Sequence, residues 1–198
     1  MQQITIIRYD EIGLKGGNRP AFVDKLLHNI CAALKVPASA LTHHRGRIYL
    51  YEVEPRMTAG LAYVFGISSF SPGMIVKKSY EAICEAAEKL VKQKVGDAPL
   101  AFKLEATRID KKFSLTSQEI KNKLGDDLRA TFPNLSVDVH NPGILLEIEM
   151  RDEGAVLSLL RHGGPGGLPV GISGRALALV SGGIDSPVAS WYAMRRGL

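Results

Sequence analysis

Residues 176–198 read ALALVSGGIDSPVASWYAMRRGL, and the change of character inside them sets the fold class. A short apolar run, Leu177 to Val180, stops at the polar, glycine-rich Ser181-Gly182-Gly183, and Asp185-Ser186-Pro187 then opens a new periodic segment. The pattern predicts a strand, a tight loop and a helix, with Ser186 as N-cap, Pro187 at the first helical position and Gly197 as the stop. Val188, Trp191 and Tyr192 share one face of that helix.

Two glycines let backbone N–H groups approach an anion closely, and the helix that follows adds the positive end of its dipole. That is phosphate-cradling geometry, although a Gly-Gly after a strand serves equally well as a plain turn. It is not a Walker loop, because the G-x-x-x-x-G-K-[ST] spacing and its lysine are absent. The string SGGIDS at the carboxyl end of a strand resembles the SGGxDS signature of the PP-loop ATP pyrophosphatases, which split ATP between the α and β phosphates and form an adenylated intermediate.

Working outward, 198 residues suffice for one large domain or two small ones, and 25 Lys and Arg against 20 Asp and Glu leave a net charge of +5. No apolar run approaches the roughly 20 residues that span a bilayer, and Met1-Gln2-Gln3 leads straight into a strand-like segment. The chain therefore reads as a soluble globular protein, cytoplasmic by default. Cys31 and Cys84 fall in helical segments far apart, which suits buried free thiols better than a disulfide, a metal site or a nucleophile.

Residues 1–76 read as β-α-β-β-α-β, an order that suits a ferredoxin-like α/β sandwich. Ile4 to Tyr9 is the first strand, and Asn18 caps a helix striped by Phe22, Leu26, Leu27, Ile30 and Leu34 and ended by Pro37. Leu41 to His44 and Arg47 to Val53 form a hairpin, Pro55 opens a short helix through Tyr63, and Ser68 to Val76 is extended. A second unit, 77–165, begins where Ser79 caps a helix carrying Ile83, Ala86, Ala87, Leu90 and Val91 in register, stopped by Gly96. Phe102, Leu104 and Ala106 alternate with polar residues as in a half-buried strand, and Thr116-Ser117-Gln118-Glu119 is a capping box. Strands are predicted at Val137 to Val139, Ile144 to Met150 and Ala155 to Leu160. The stretch GGPGGLPVGISG from Gly163 to Gly174, with its centre at 166–174, reads as a Gly/Pro linker and a hinge before the phosphate loop.

Five separated motifs then carry a resemblance across the whole chain: RYDEIGLKGGNR from Arg8, RIDKKFSLTSQEI from Arg108, VDVHNP from Val137, GGLPVG from Gly166 and SGGIDSPVA from Ser181. Together they resemble the tRNA 4-thiouridine synthetase, or tRNA sulfurtransferase, family, departing from it at Asp10, usually glycine there, and at Gly17, commonly basic there. The resemblance implies a mixed α/β protein: a ferredoxin-like domain, a THUMP RNA-binding domain and, over 175–198, the start of a PP-loop domain. One strand and one helix cannot bury the core of such a parallel sheet, so the chain reads as a fragment.

For the whole protein the resemblance implies that ATP, with Mg²⁺, adenylates uridine 8 of tRNA and that persulfide sulfur then displaces AMP. Its partners would be tRNA, a cysteine desulfurase and, in some members, a sulfur carrier of the thiamine pathway; pairing into a homodimer is left open. By carry-over, Leu179 and Val180 would lie against the nucleoside, while Ser181, Gly182, Gly183 and Ser186 would surround the phosphates. Asp185 would act in adenylation, with a helix-capping carboxylate as the plain alternative.

Lys77, Lys78, Lys103, Arg108, Lys111, Lys112, Lys121 and Lys123 form a basic cluster in the second unit that could track a tRNA backbone. Singly, each also reads as a solvated lysine or arginine. Phe113 and Tyr80 are candidate stacking groups or core residues, and His43, His44, Arg45 and Arg47 make a second basic patch or a polar turn. Three functions stand open: an ATP-dependent tRNA sulfurtransferase, a non-catalytic RNA-binding module, and another adenylating PP-loop enzyme. The THUMP-like unit favours the first two.

Overall fold

The structure is a computed structural model that describes residues 1–44, 46–51, 57–110 and 113–198. Its elements in chain order are β1 (Gln2–Arg8), α1 (Arg19–Leu34), β2 (Leu41–His44), β3 (Arg47–Tyr51), β4 (Ser69–Val76), α2 (Tyr80–Lys92), β5 (Leu100–Arg108), α3 (Ser117–Thr131), β6 (Leu135–Val137), β7 (Ile144–Met150), β8 (Ala155–Ser158), β9 (His162–Gly163) and α4 (Asp185–Arg195). The chain divides into two compact units, one of residues 5–70 with 162–198 and one of residues 1–4 with 71–161. The mixed α/β class is the expected one.

In the first unit the strands run in the order β2-β3-β1-β4. β2 and β3 are an antiparallel hairpin with Leu41 opposite Leu50, and β9 pairs with the start of β4. Helix α1 follows Asn18, takes Pro20 in its first turn where no intrahelical N–H is required, and ends on Lys35 in the left-handed region. The predicted stripe is realised: Leu26, Ile30 and Leu34 are buried with Val23 against Ile7, Ile48, Leu50 and Phe70. The helix expected from Pro55 to Tyr63 is a 3₁₀ segment, Met57–Tyr63, and Pro55 lies outside the described residues. Gly60 belongs there because a Cβ would stand 2.9 Å from Leu34 of α1.

The second unit orders its strands β4-β8-β7-β5-β6, with β5 parallel to β6 and β7 and the remaining pairs antiparallel. Ile144, Leu146, Ile148 and Met150 alternate inward along β7 and meet Ile83, Ala87, Phe102, Ile120, Leu124 and Leu128 in one core. Burying each of the large side chains contributes about 1.5–3 kcal/mol, so the helices are held mainly by that apolar face. Their starts are fixed locally. The Ser79 hydroxyl accepts the N–H of Ala82 at 3.2 Å, and Thr116 and Glu119 exchange reciprocal bonds of 3.2 and 2.7 Å.

Three extended segments differ from expectation. The strand placed at Val137 to Val139 is Leu135–Val137, because the Asp138 carboxylate accepts the N–H groups of His140 and Asn141 and turns the chain away. β8 ends at Ser158 instead of Leu160. Leu177 to Val180 is not a strand: among the described residues no strand pairs with it, and Leu177, Leu179 and Val180 are exposed. A parallel strand buries both faces and bonds both edges, and an apolar run without those neighbours stays irregular.

The hinge expectation is corrected as well. Gly164 donates to Ser68 O at 3.0 Å, Gly166 to Ile67 O at 2.8 Å, and Asn29 reaches Val170 O at 3.1 Å. Leu168 is buried, and a Cβ on Gly164 would meet Ile67 O at 2.3 Å. These glycines serve close approach of backbones, and the segment is bound along its length.

Candidate functional site

The phosphate loop is built from its two serines. Ser186 accepts the N–H of Ser181 on its hydroxyl at 3.0 Å, the two hydroxyl oxygens lie 3.2 Å apart, and Gly183 donates to the Ser181 hydroxyl at 3.3 Å. The ring so closed holds Gly182 and Gly183 at its apex. Ser186 is therefore not the N-cap. With its hydroxyl engaged by the loop, the helix starts two residues earlier than expected, at Asp185, Ile184 occupies the cap position, and Pro187 sits in the first turn without needing a donor.

A Cβ on Gly182 would meet nothing within 4 Å, so the space around the apex is open. The first N–H groups of α4 face outward with the positive end of the helix dipole behind them. Asp185 is exposed in that first turn, and no side-chain bond caps the helix. Donors from a helix start, an unobstructed glycine pair and a carboxylate beside them fit a polyphosphate and its counter-cation. Among the described residues no group of three or more His, Cys, Asp or Glu is placed to hold a metal by itself. Leu179 and Val180, just before the loop, are exposed.

At its other end α4 stops as expected, on Gly197 at φ +91°. Arg196 there meets Glu11 at 2.9 Å, and Trp191 stands edge-on to Phe65 with ring centres 5.4 Å apart.

The basic cluster is less uniform than its sequence suggests. Lys78 is paired at 2.5 Å with the buried Asp110, Lys103 with Glu105 at 2.9 Å, and Arg108 donates to the carbonyls of Phe113 and Leu115 at 3.2 and 2.9 Å. Lys78 and Arg108 tie separate segments together, while Lys103 pairs with a neighbour on its own strand. Lys77 is exposed, and Lys123 lies 3.9 Å over the ring of Tyr80. Lys111 and Lys112 lie outside the described residues, as does Arg45. Phe113 packs against the core, and in the other patch His43 is bonded to the Tyr9 hydroxyl at 2.9 Å. Burial holds the His43 imidazole below its usual range, with His44 adding to the effect.

Lys121 lines a groove of about 460 Å³ beside α3, floored by Phe102 and Leu104 and bordered by Arg129, Val137 and Val139. Sequence reasoning misses this groove. Its signal is the helical spacing of the polar Gln118, Asn122 and Arg129 around the small Gly125, next to Val137 at the end of β6 and Val139 beyond it, both exposed. Both cysteines are free and half-buried. Burial first, and then Glu88 beside it, push the Cys84 thiol up to about 11, the opposite of an activated sulfur nucleophile.

Comparison with known proteins gives the same order of parts. Residues 4–71 match the family model of the ThiI ferredoxin-like domain, residues 77–160 that of the THUMP domain, and residues 171–198 that of the "Thiamine biosynthesis protein (ThiI)". Among curated proteins, a "Probable tRNA sulfurtransferase" of Moorella thermoacetica is 44% identical over 201 residues, covering 100% of this chain and 51% of the relative. A "Probable tRNA sulfurtransferase" of Halothermothrix orenii is 40% identical, with 100% and 52% covered. The chain thus spans about half the length of the curated relatives it matches. Among solved structures, a 4-thiouridine synthetase in complex with RNA and bound ATP superposes with a TM-score of 0.89 at 38% identity, covering 100% of this chain and 51% of that one. PH1313 of Pyrococcus horikoshii gives 0.87 at 34% identity, with 98% and 66% covered.

Proposed function

We propose that this chain, matched along its whole length by tRNA sulfurtransferases, supplies the RNA-binding parts and the phosphate loop of an enzyme that converts uridine 8 of tRNA to 4-thiouridine. The observation that carries this reading is the Ser181–Ser186 ring, which holds open backbone donors at the start of α4 in a chain matched throughout by tRNA sulfurtransferases.

ATP supplies the activation: transfer of its AMP group to the uridine C4 oxygen makes that oxygen a leaving group, and pyrophosphate departs. In this scheme the N–H groups from Gly182 onward receive the phosphates, and Ser181 and Ser186 keep the loop from collapsing when it is charged. Such preorganised donors act where negative charge develops. Asp185 is the residue that would hold Mg²⁺ or orient the departing pyrophosphate. Leu179 and Val180 would shield the nucleoside from water. Sulfur would then arrive as a persulfide from a cysteine desulfurase partner: its outer sulfur attacks C4 and AMP leaves, and a second thiol attacks the inner sulfur, breaking the S–S bond to form a carrier disulfide and free 4-thiouridine. The raised thiol of Cys84 fits a scheme in which that cysteine takes no part.

Substrate tRNA would lie along the second unit, with Lys77, Lys121 and Lys123 the exposed or groove-lining cations left for phosphates once Lys78, Lys103 and Arg108, and Arg129 with its 2.5 Å pair to Asp126, are discounted. Among the described residues no helix is long and apolar enough to cross a membrane. An enzyme acting on tRNA in this way would work in the cytoplasm, with its substrate.

The test is single-turnover formation of 4-thiouridine by the protein at the full length of its relatives, wild type against Asp185→Asn. Loss of one such charge costs roughly 3–4 kcal/mol in the transition state, a hundredfold or more in rate, with tRNA affinity kept. Thiolation at the wild-type rate removes Asp185 from the chemistry, and no thiolation by the wild type removes the reading.

A further inference from the structure

Helix α4 buries none of its side chains fully, yet its last turn is bonded on several sides. Leu168 donates to Arg195 O at 2.9 Å, Gly171 and Ser173 to Gly197 O at 2.8 and 2.9 Å, and the Ser173 hydroxyl to Arg196 O at 2.9 Å. These are the carbonyls that a helix leaves without intrahelical partners. The same stretch, Gly164 to Ser173, is stitched along its opposite side to residues 66–68 and to Asn29 of α1. Gly167, at φ +76°, lets the backbones meet: a Cβ there would stand 2.3 Å from Arg195 O. Glu11, in the 3₁₀ turn Glu11–Leu14, closes the arrangement through its pair with Arg196.

We propose that the strap Gly164–Ser173 and the Glu11–Arg196 pair are positioning elements for the phosphate loop. They grip α4 by its C-terminal turn, and the loop at the opposite end of that helix is thereby presented in a fixed orientation to the unit built on residues 5–70. A helix transmits a rotation at one end to the other, so loosening the grip swings Ser181–Ser186 through the length of α4 while leaving the bonds within the loop intact. Glu11 and Arg196 touch neither phosphate nor RNA in this scheme and act only through the helix. The grip itself is independent of what the loop binds; its consequence for ATP rests on the function proposed above.

The experiment uses Glu11→Arg, the exchanged pair Glu11→Arg with Arg196→Glu, and Gly167→Ala. In the 198-residue chain, hydrogen exchange of the α4 amides is followed by mass spectrometry. Glu11→Arg should raise exchange at 191–197 roughly two- to fivefold, the range of an exposed ion pair, and the exchanged pair should return it to the wild-type rate. Gly167→Ala should raise it tenfold or more, since both the positive φ and the clash oppose it. In the protein at the full length of its relatives, Glu11→Arg should raise KM for ATP by the same factor at unchanged tRNA affinity, with rescue by the exchanged pair.

Unchanged α4 exchange in both Glu11→Arg and Gly167→Ala overturns the proposal. Faster exchange that the exchanged pair does not restore removes Glu11 and Arg196 from it. If Gly167→Ala loosens all of residues 5–70, the charge exchange alone decides. Should the exchange data behave as expected while no variant, wild type included, makes 4-thiouridine, the strap stands and the functional reading falls.

Discussion

The Tyr80 hydroxyl donates to the Asp127 carboxylate at 2.5 Å, tying the first turn of α2 to the middle of α3 across 47 residues of sequence. Lys123 covers the ring from the other side, and the phenol is spoken for by structure before any base could stack on it.

Burial first, then the bond to Asp127, push the Tyr80 phenol above its usual range. Below about pH 10 both folded and unfolded chains keep that proton and stability does not depend on it. Above it the unfolded chain releases the proton while the folded chain retains it, so stability falls as pH rises toward the folded value. Urea midpoints of wild type and Tyr80→Phe between pH 9 and 11 should show this decline in the wild type and a shallower one in the variant. The variant should also lose about 1 kcal/mol at neutral pH. Parallel curves would mean that the phenol is not held.

Thr116→Ala should cost about 1 kcal/mol, because the N–H of Glu119 loses its acceptor and the reciprocal capping bond is left alone. Glu119, held below the usual carboxylate range by the Thr116 N–H, contributes stability that is present above its unfolded value and lost as pH falls through the folded one. Glu119→Gln should therefore flatten the acid limb of a stability–pH profile. A profile identical to the wild type would separate the box from the stability of α3.

Proteolysis of the 198-residue chain should spare 164–171 and cut in 175–184. The first stretch has its amides bonded on two sides, while Leu177 and Leu179 are about nine-tenths exposed with no strand beside them. Fragment masses after brief chymotrypsin treatment decide the matter; a first cut within 164–171 would restore the hinge.

Replacing Lys121 and Lys123 with alanine should weaken tRNA binding for all sequences alike and lower the salt slope by roughly 0.7–0.9 for each phosphate that the variant no longer neutralises. Lys103→Ala should leave the slope unchanged, since that charge is paired with Glu105, and Lys78→Ala should appear as reduced stability through Asp110. Equal slopes for the double variant and the wild type would move the RNA-binding face elsewhere.

What can be read from sequence follows from how far each cause reaches along the chain. Ser79 and Thr116 mark helix starts because a cap and its donor lie within three residues. The stripes of α1 and α2 are equally legible, since one period decides them. Leu177 to Val180 reads as a strand and is none because a strand exists only by virtue of its neighbours. Ser186 reads as a cap and is none for a related reason: the acceptor that a cap would offer to its own helix is already taken by Ser181, five residues back. The basic cluster misleads through adjacency, as the acid that engages Lys78 comes from Asp110, 32 residues on. Gly164 and Gly167 read as freedom by composition and act as clearance between backbones.

The two-sided bonding of 164–173 also fixes how the chain can change length. Gly164 and Gly166 are in register with Ser68 and Ile67, and Leu168 and Gly171 with Arg195 and Gly197, so one inserted residue between them would break one set of bonds to keep the other. Residues 174–180 answer to no such double register. Natural insertions and deletions, and any tag or reporter spliced in by an experimenter, belong at the start of that second stretch, over 174–176, where the chain can lengthen without moving either row of partners or the residues that lead into the phosphate loop.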